Sequence, residues 1–401
     1  MAIEETDQVD LGASPTHDEK KRRRGMFFLA LATLTVGIAF NIQIGLNDNF
    51  VVGQIGVSPF QKGILESVRE SCGIWALGLL ALLAGLAEPI IASIMLLLVA
   101  VGLGSYYGVH DFFWLAAMSV VWSQGLHVWM PLPNSMMLSL AEKGRTGHRL
   151  GQLQAAGAVG GVGGLVVAFL LTTFAHVSIR PLYLVSGAAA VLAAIAILGV
   201  PRDIKTPGPR LVVRRKYALY YVMNFLEGWR KQIFVAFAGF LLVNNHNMPL
   251  RNMLIMWAAV GAAQWFVSPL VGRLIDRVGE RTVLTGYYAT MTLLFLGYIF
   301  IHDRRVLMGL FVADGIFFSL AMALTTYVRR IAPPEEHTPT LSMGVAMNHV
   351  AAVAMPLAGA FLWKYAGYQW PFAAGAAAAA ASILVVRRLP KHNPHEHEMT
   401  A

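Results

Sequence analysis

The chain has 401 residues, 56% of them hydrophobic and 13% charged, with a mean hydropathy of +0.58. Water-soluble proteins carry about 25% charged residues, which excludes an ordinary soluble globule, and the apolar runs are continuous rather than alternating, which excludes a membrane β-barrel. The formal charge of +9 does not point to nucleic acid, because the Lys and Arg residues gather in the segments on one side of the apolar runs, the positive-inside pattern.

Residues 1–24 read as a disordered, basic cytoplasmic tail ending in Lys20-Lys21-Arg22-Arg23-Arg24. Helix 1 is expected over about 25–46, with Asn41 and Gln43 near its outer end. Helix 2 begins after Ser58-Pro59, a helix-start pair. It runs to about 84 and carries Glu66, Arg69 and Glu70 on one face. Cys72, the single cysteine, lies within it and reads as a small buried residue with no disulfide or thiolate-metal role.

Helices 3 and 4 are expected over about 89–107 and 112–138, the latter with His127, Pro131 and Pro133. A basic loop from Glu142 to Arg149 leads to helix 5, about 151–174, which contains a glycine cluster between Gly157 and Gly164. Such glycines let helix backbones approach closely. Helix 6, about 181–200, ends a first bundle over 25–200, and the polar stretch 201–216 reads as a cytoplasmic linker.

A second bundle is expected over 217–388. Helix 7 carries Glu227, Arg230 and Lys231 deep inside its apolar run, Glu227 about 15 Å from the inner end at about 1.5 Å per residue. Ionised groups at that depth are costly and persist where they pair or face water. Helix 8, about 252–272, includes Gln264 and helix 9 spans about 282–301. Helix 10, about 306–327, holds Asp314, and a loop is expected from Arg329 to Thr340. Helix 11, about 341–363, holds Asn348 and His349; helix 12 spans about 370–388, and 389–401 reads as a cytoplasmic tail whose His392, His395 and His397 are solvated. The fold class is therefore an all-α polytopic membrane protein, twelve transmembrane helices in two six-helix bundles, the parallel-repeat plan of many secondary transporters.

The stretch Gly272-Arg273-Leu274-Ile275-Asp276-Arg277-Val278-Gly279-Glu280-Arg281 resembles the signature loop of the major facilitator superfamily, G-x-L-x-D-R-x-G-x-[RK]. The resemblance implies a conformational latch at Gly272, Asp276, Arg277, Gly279 and Arg281. The copy expected between helices 2 and 3 is eroded to Gly85-Leu86-Ala87-Glu88-Pro89, where Glu88 stands in for the aspartate. The glycine cluster of helix 5 is similar to an antiporter-associated motif but lacks its proline.

The resemblance also implies that helices 1, 4, 7 and 10 line a central cavity and that helices 3, 6, 9 and 12 face lipid. Between their ends the latter four carry no Asp, Glu, Lys, Arg or His. Glu227, Asp314, Glu66 and Glu70 are the expected proton-coupling or ion-pairing groups, with Arg230 or Lys231 joined to an acid across the two halves. Arg230, Lys231, Arg69, Asn41, Gln43, His127, Gln264, Asn348 and His349 are candidate substrate contacts.

The function expected is a secondary active transporter moving a small organic solute by alternating access, coupled to H+, with a lean to export. Proton-coupled uptake of an organic anion, or a receptor-like scaffold that moves nothing, are the alternatives. No phosphate-cradling loop is present, and neither an enzymatic site nor a cofactor is expected. The carboxylates and histidines allow a transition-metal exporter, but a compact ligand motif is lacking and no metal site is expected. The expected setting is an inner or plasma membrane, with both termini cytoplasmic, a monomeric state, and the solute and the lipid bilayer as partners.

Overall fold

The computed structural model describes residues 17–142, 145–205 and 213–390. Most of the expected tails, including His392, His395 and His397, and part of the expected linker lie outside the described residues.

The described chain forms twelve helical rods. They are α1 (His17–Phe50, continued by a π turn Val51–Ile55), α2 (Pro59–Leu82), α3 (Glu88–Ser105), α4 (Phe112–Trp129 and Leu132–Leu140), α5 (Thr146–Thr173) and α6 (Ile179–Ala196). The second six begin with α7 (Ala218–Ile233, a π segment Phe234–Ala238, then Gly239–His246). Next, α8 and α9 share the stretch Leu250–Phe300, divided at Gly279. Last come α10 (Arg304–Phe317, a 3-10 turn Phe318–Ala321, then Met322–Ile331), α11 (Pro334–Ala366) and α12 (Gln369–Val386).

Eight stretches are long and apolar enough to cross a membrane, Leu250–Phe300 counted once. Of the rods beyond that count, α2 carries Lys62, Glu66, Arg69 and Glu70, α7 carries Glu227, Arg230 and Lys231, and α4 is interrupted between Trp129 and Leu132.

Several boundaries differ from expectation for local reasons. Helix α1 is already formed at His17, the first described residue, inside the expected tail, and Asp18 and Glu19 lie on its first described turn. It also extends past residue 46 to close at Gly56, whose φ of 74° ends the helix. Helix α11 begins at Pro334, within the expected Arg329–Thr340 loop, since proline is tolerated in a first helical turn. The expected gap between helices 8 and 9, about 272 to 282, is one break only: Gly279, at φ 78°, turns α8 into α9.

The α2 start is a capping box, Ser58 and Gln61 satisfying each other's backbone N–H groups. Asp111 and Asp303 cap α4 and α10.

In the first bundle α1 packs on α5 and α6, α3 on α4 and α6, and α2 on α4. In the second α7 packs on α11 and α12, and α9 on α12. The glycine cluster serves the α1–α5 contact: a Cβ on Gly164 would sit 2.6 Å from the Ile38 carbonyl oxygen, and Gly160 lies against the backbone of Leu34.

One end of the molecule holds the linker and the 140–146 and 279 turns; the opposite, far end holds the turns near 56, 110, 176, 247, 302 and 367. The bundles meet along α2–α11 and α5–α8. The joints of named side chains lie toward the far end. Asn49 donates to the Met248 carbonyl at 2.9 Å, and Phe60 stacks edge-on with Phe361 at 5.0 Å beneath the Lys364 ammonium. At the linker end the ion pairs stay within a bundle: Arg149 with Glu142, Arg330 with Glu280, and Arg214 and Lys216 with Glu336. The described joints between the bundles are therefore concentrated toward the far end of the cleft that separates them.

The Glu142–Arg149 fork, at 3.0 and 2.9 Å, holds the Glu142 carboxyl down from its ordinary 4.5 to about 2. A depressed carboxylate contributes above its ordinary pKa and loses that contribution as the pH falls through the lower value. Carboxyl 13C NMR should find Glu142 ionised at about pH 3; protonation near its ordinary value would refute the pairing.

Candidate functional site

Two charged networks occupy the interior at mid-depth. The first runs along α1 and α2. The Lys62 ammonium, fully buried, lies 3.0 Å from Asp48 and 2.9 Å from Glu66. Glu66 is also in ionic contact with Arg69, whose guanidinium lies 3.4 Å from Glu70 and 5.5 Å from the Trp122 ring. The i, i+4, i+7 and i+8 positions of α2 make this one stripe, and α1 brings Asp48 to its far-end tip.

Glu70 ends the stripe at the cleft. Its Oε2 lies 4.0 Å from His127 Nε2 on α4 and 3.8 Å from His349 Nδ1 on α11. The two imidazole rings meet edge to face at 5.3 Å. The Nδ1 of His127 lies 2.9 Å from the Ser123 carbonyl oxygen. On the opposite wall Lys231 donates to Asn348 at 3.2 Å and stands within Coulombic reach of Glu70. Asn348 in turn donates to the Asn224 carbonyl at 3.4 Å. Glu70, His127 and His349 keep side-chain exposures of 14, 11 and 18%, so water reaches them. On the far side of them Gln43 and Lys62 are buried.

The second network is enclosed in the C-terminal bundle. Arg230 donates to Glu227 at 2.8 Å and to Asp314 of α10 at 3.2 Å. Tyr287 of α9 donates to the same Glu227 oxygen at 2.9 Å, and the guanidinium stacks near the Tyr287 and Phe318 rings. Glu227, Arg230 and Asp314 are 3, 0 and 1% exposed.

The expected pairing of Arg230 across the two halves is thus corrected: both its acids lie in its own bundle. Arg230 and Lys231 are consecutive, so a helix sends them about 100° apart. Arg230 faces its bundle and Lys231 faces the cleft. Helix 9 presents exposed apolar residues such as Leu293 and Phe300 on one face and turns Tyr287 inward to Glu227 on the other.

The other expected contacts divide. Asn41 donates to the Gly37 carbonyl at 3.0 Å and Gln43 to Asn47 at 3.2 Å. Gln264 donates to the Gly315 carbonyl at 2.7 Å, which ties α8 to α10. In the signature stretch Glu280 pairs with Arg330 at 3.5 Å and Arg281 donates to the Leu389 carbonyl at 3.1 Å, whereas Asp276 and Arg277 are exposed. Gly272 has open space about it and Gly279 supplies the turn. Glu88, in the eroded copy, is buried and accepts from Ser135 of α4 at 2.7 Å. Sequence reasoning missed Asp48, Lys62 and Tyr287. The i, i+4 spacing of Lys62 and Glu66 was the signal for Lys62; Asp48, on another helix, and Tyr287 give none.

Two six-helix bundles around a water-reached cleft of buried charge define a membrane-transporter architecture. Residues 220–400 match the family model of the Major Facilitator Superfamily, and over 90% of its length the chain shares the fold of a solved transporter. No curated protein matches the chain.

Among solved structures, the nucleoside transporter NupG is similar at a TM-score of 0.72 and 13% identity, over 90% of this chain and 97% of that one. A bacterial homologue of the iron transporter ferroportin in an inward-facing state gives 0.72 and 13%, over 91% and 98%. A D-xylose-proton symporter gives 0.68 and 13%, over 92% and 98%.

Proposed function

We propose that the protein is a secondary active transporter that exchanges a small organic solute for protons by alternating access, in the direction of export. One observation carries this reading, the charge count of the two networks. Asp48, Glu66, Glu70, Glu227 and Asp314 face Lys62, Arg69, Arg230 and Lys231. Five carboxylates against four cations leave room for one positive charge. Unbalanced charge in a low-dielectric interior is expensive, so the site favours a proton or a cationic group of the solute.

The shortfall is sharpest in the C-terminal bundle, where two carboxylates share one guanidinium. Glu227 Oε2 and Asp314 Oδ2 are buried without a hydrogen-bond partner among the described residues. A proton shared by this pair neutralises the pocket and gives one of those oxygens a hydrogen to donate. Arg230, Tyr287, Tyr288 and Tyr298 are the polar groups that surround it.

Helix α7 connects this pocket to the cleft, because Arg230 and Lys231 move together. A π segment follows them at Phe234–Ala238, and a 3-10 turn follows Asp314 at Phe318–Ala321. Such irregular turns mark hinge positions. In this reading the positive-inside pattern sets the linker end in the cytoplasm, so the far-end joints lie on the outer side. The proton-symporter and inward-facing neighbours are in keeping with it.

The test uses proteoliposomes with an imposed pH gradient and a panel of nucleosides, sugars, organic cations and organic anions. Solute-driven proton movement is read with an enclosed dye, and solute exchange by counterflow. Glu227→Gln and Asp314→Asn should each abolish gradient dependence while counterflow persists. Unchanged gradient dependence in both variants overturns the proton reading; absence of counterflow in the native protein overturns transport.

A further inference from the structure

We propose that Glu70, His127 and His349 form a binding site for a divalent transition-metal ion that bridges the two bundles. One ligand atom from each, the carboxylate oxygen and one nitrogen of each imidazole, lie within 4.8 Å of one another. They come from α2, α4 and α11, so two ligands belong to the first bundle and one to the second. In the sequence the carboxylates and histidines form no compact ligand motif, since no two of the three residues share a helix.

The histidines are prepared for the task. The Ser123 hydroxyl donates to the Arg69 carbonyl, and the Ser123 carbonyl oxygen, 2.9 Å from His127 Nδ1, can only accept, an arrangement satisfied with the hydrogen of His127 on Nδ1. That leaves the Nε2 lone pair directed at Glu70, the support that metal-ligating histidines take from a backbone carbonyl. The Nδ1 of His349 is buried and has no hydrogen-bond partner among the described residues. A hydrogen-bonding nitrogen left so is costly, and coordination would satisfy it.

A four-coordinate ion with bonds of about 2.0–2.1 Å needs ligand atoms about 3.3 Å apart. The distances from Glu70 Oε2 of 4.0 and 3.8 Å close to that by small side-chain rotations. The remaining coordination position faces the water-reached cleft.

Two imidazoles and one carboxylate suit zinc, iron, cobalt or nickel rather than calcium or magnesium, which favour all-oxygen shells. Two cations face the site, Arg69 and Lys231. Arg69 is offset by Glu66, and Lys231 is held back by Asn348. The inference does not rest on the transport reading, because it concerns binding at equilibrium.

The experiment titrates purified full-length protein in nanodiscs with Co2+, read by its visible absorption, and with Zn2+ by displacement. One ion per chain is expected. Glu70→Gln, His127→Ala and His349→Ala should each weaken Co2+ binding by at least about 10-fold, whereas His110→Ala, at an exposed far-end histidine, should leave it unchanged. Size exclusion and thermal unfolding establish that the variants fold. X-ray absorption of the Zn2+-loaded native protein gives an answer free of substitution, with two imidazoles in the shell expected. Equal binding by all variants, no stoichiometric ion, or a shell without two imidazoles overturns the site.

Discussion

Replacing Lys62 by methionine is expected to cost the folded protein about 3–5 kcal/mol, the usual penalty for stranding one side of a buried ion pair. Lys62 is fully buried, and its ammonium is the only charge within ion-pair distance of Asp48 among the described residues. It is also one of two that hold Glu66. Methionine fills similar volume, so the loss isolates charge from packing. Adding Asp48→Asn removes one stranded carboxylate and should recover a substantial part of the loss, a coupling that a double-mutant cycle reads directly. The measurement is thermal unfolding of detergent-solubilised protein. A Lys62→Met midpoint within about 1 kcal/mol of native would mean that the stripe tolerates an open charge, and the charge count behind the proton reading would lose its force.

That stripe also shows where sequence alone runs out. The acid-base spacing within one helix was legible: Glu66, Arg69 and Glu70 on α2, Glu227 and Arg230 on α7. So was the two-bundle plan, because apolar run lengths and the 272–281 motif report on it directly. Asp48 escaped because Asn47-Asp48-Asn49 reads as the polar end of a helix, whereas α1 continues through it. What a helix start buries depends on the neighbours that close over it, and this is why Lys62 was missed.

The partner of Arg230 was legible only by half. Glu227 is three residues away, but Asp314 is reached through the packing of α10, which a pattern of polar residues on one strip of sequence cannot specify. Glu70, His127 and His349 were each picked out as isolated groups. Their convergence rests on the α2–α11 crossing and on the α2–α4 packing, tertiary facts with no sequence signature. Conversely, the glycine cluster of α5 turns out to have a use that composition allows, close passage against α1.

Replacing Gly63 by leucine is expected to shift the protein toward an arrangement open at the far end. Gly63 lies on α2 where α11 crosses it, and an added Cβ would run into the Pro356 carbonyl oxygen and the Ala360 methyl. The obstacle is backbone as well as side chain, so local rotamer changes cannot relieve it. Strain of about 1–3 kcal/mol is typical of such overpacking, and a bias of that size moves a two-state equilibrium by about 5–150-fold. The strain falls only on the closed arrangement, because it arises between bundles rather than within one; this differential is what a conformational shift requires. Helix α2 itself loses nothing, leucine being the better helix former.

Cys72 is the single cysteine, so a Cys72→Ser background accepts spin labels at Gly56→Cys and Asn247→Cys, exposed positions on the far-end turns of the two bundles. Pulsed electron-electron resonance should find one short-distance population in that background and a longer one added by Gly63→Leu, with the unfolding midpoint little changed. A single unshifted distance, or a lower midpoint with no longer population, would show that the α2–α11 crossing is a fixed seam. Alternating access would then have to pivot elsewhere, on α5 and α8, which form the other seam between the bundles.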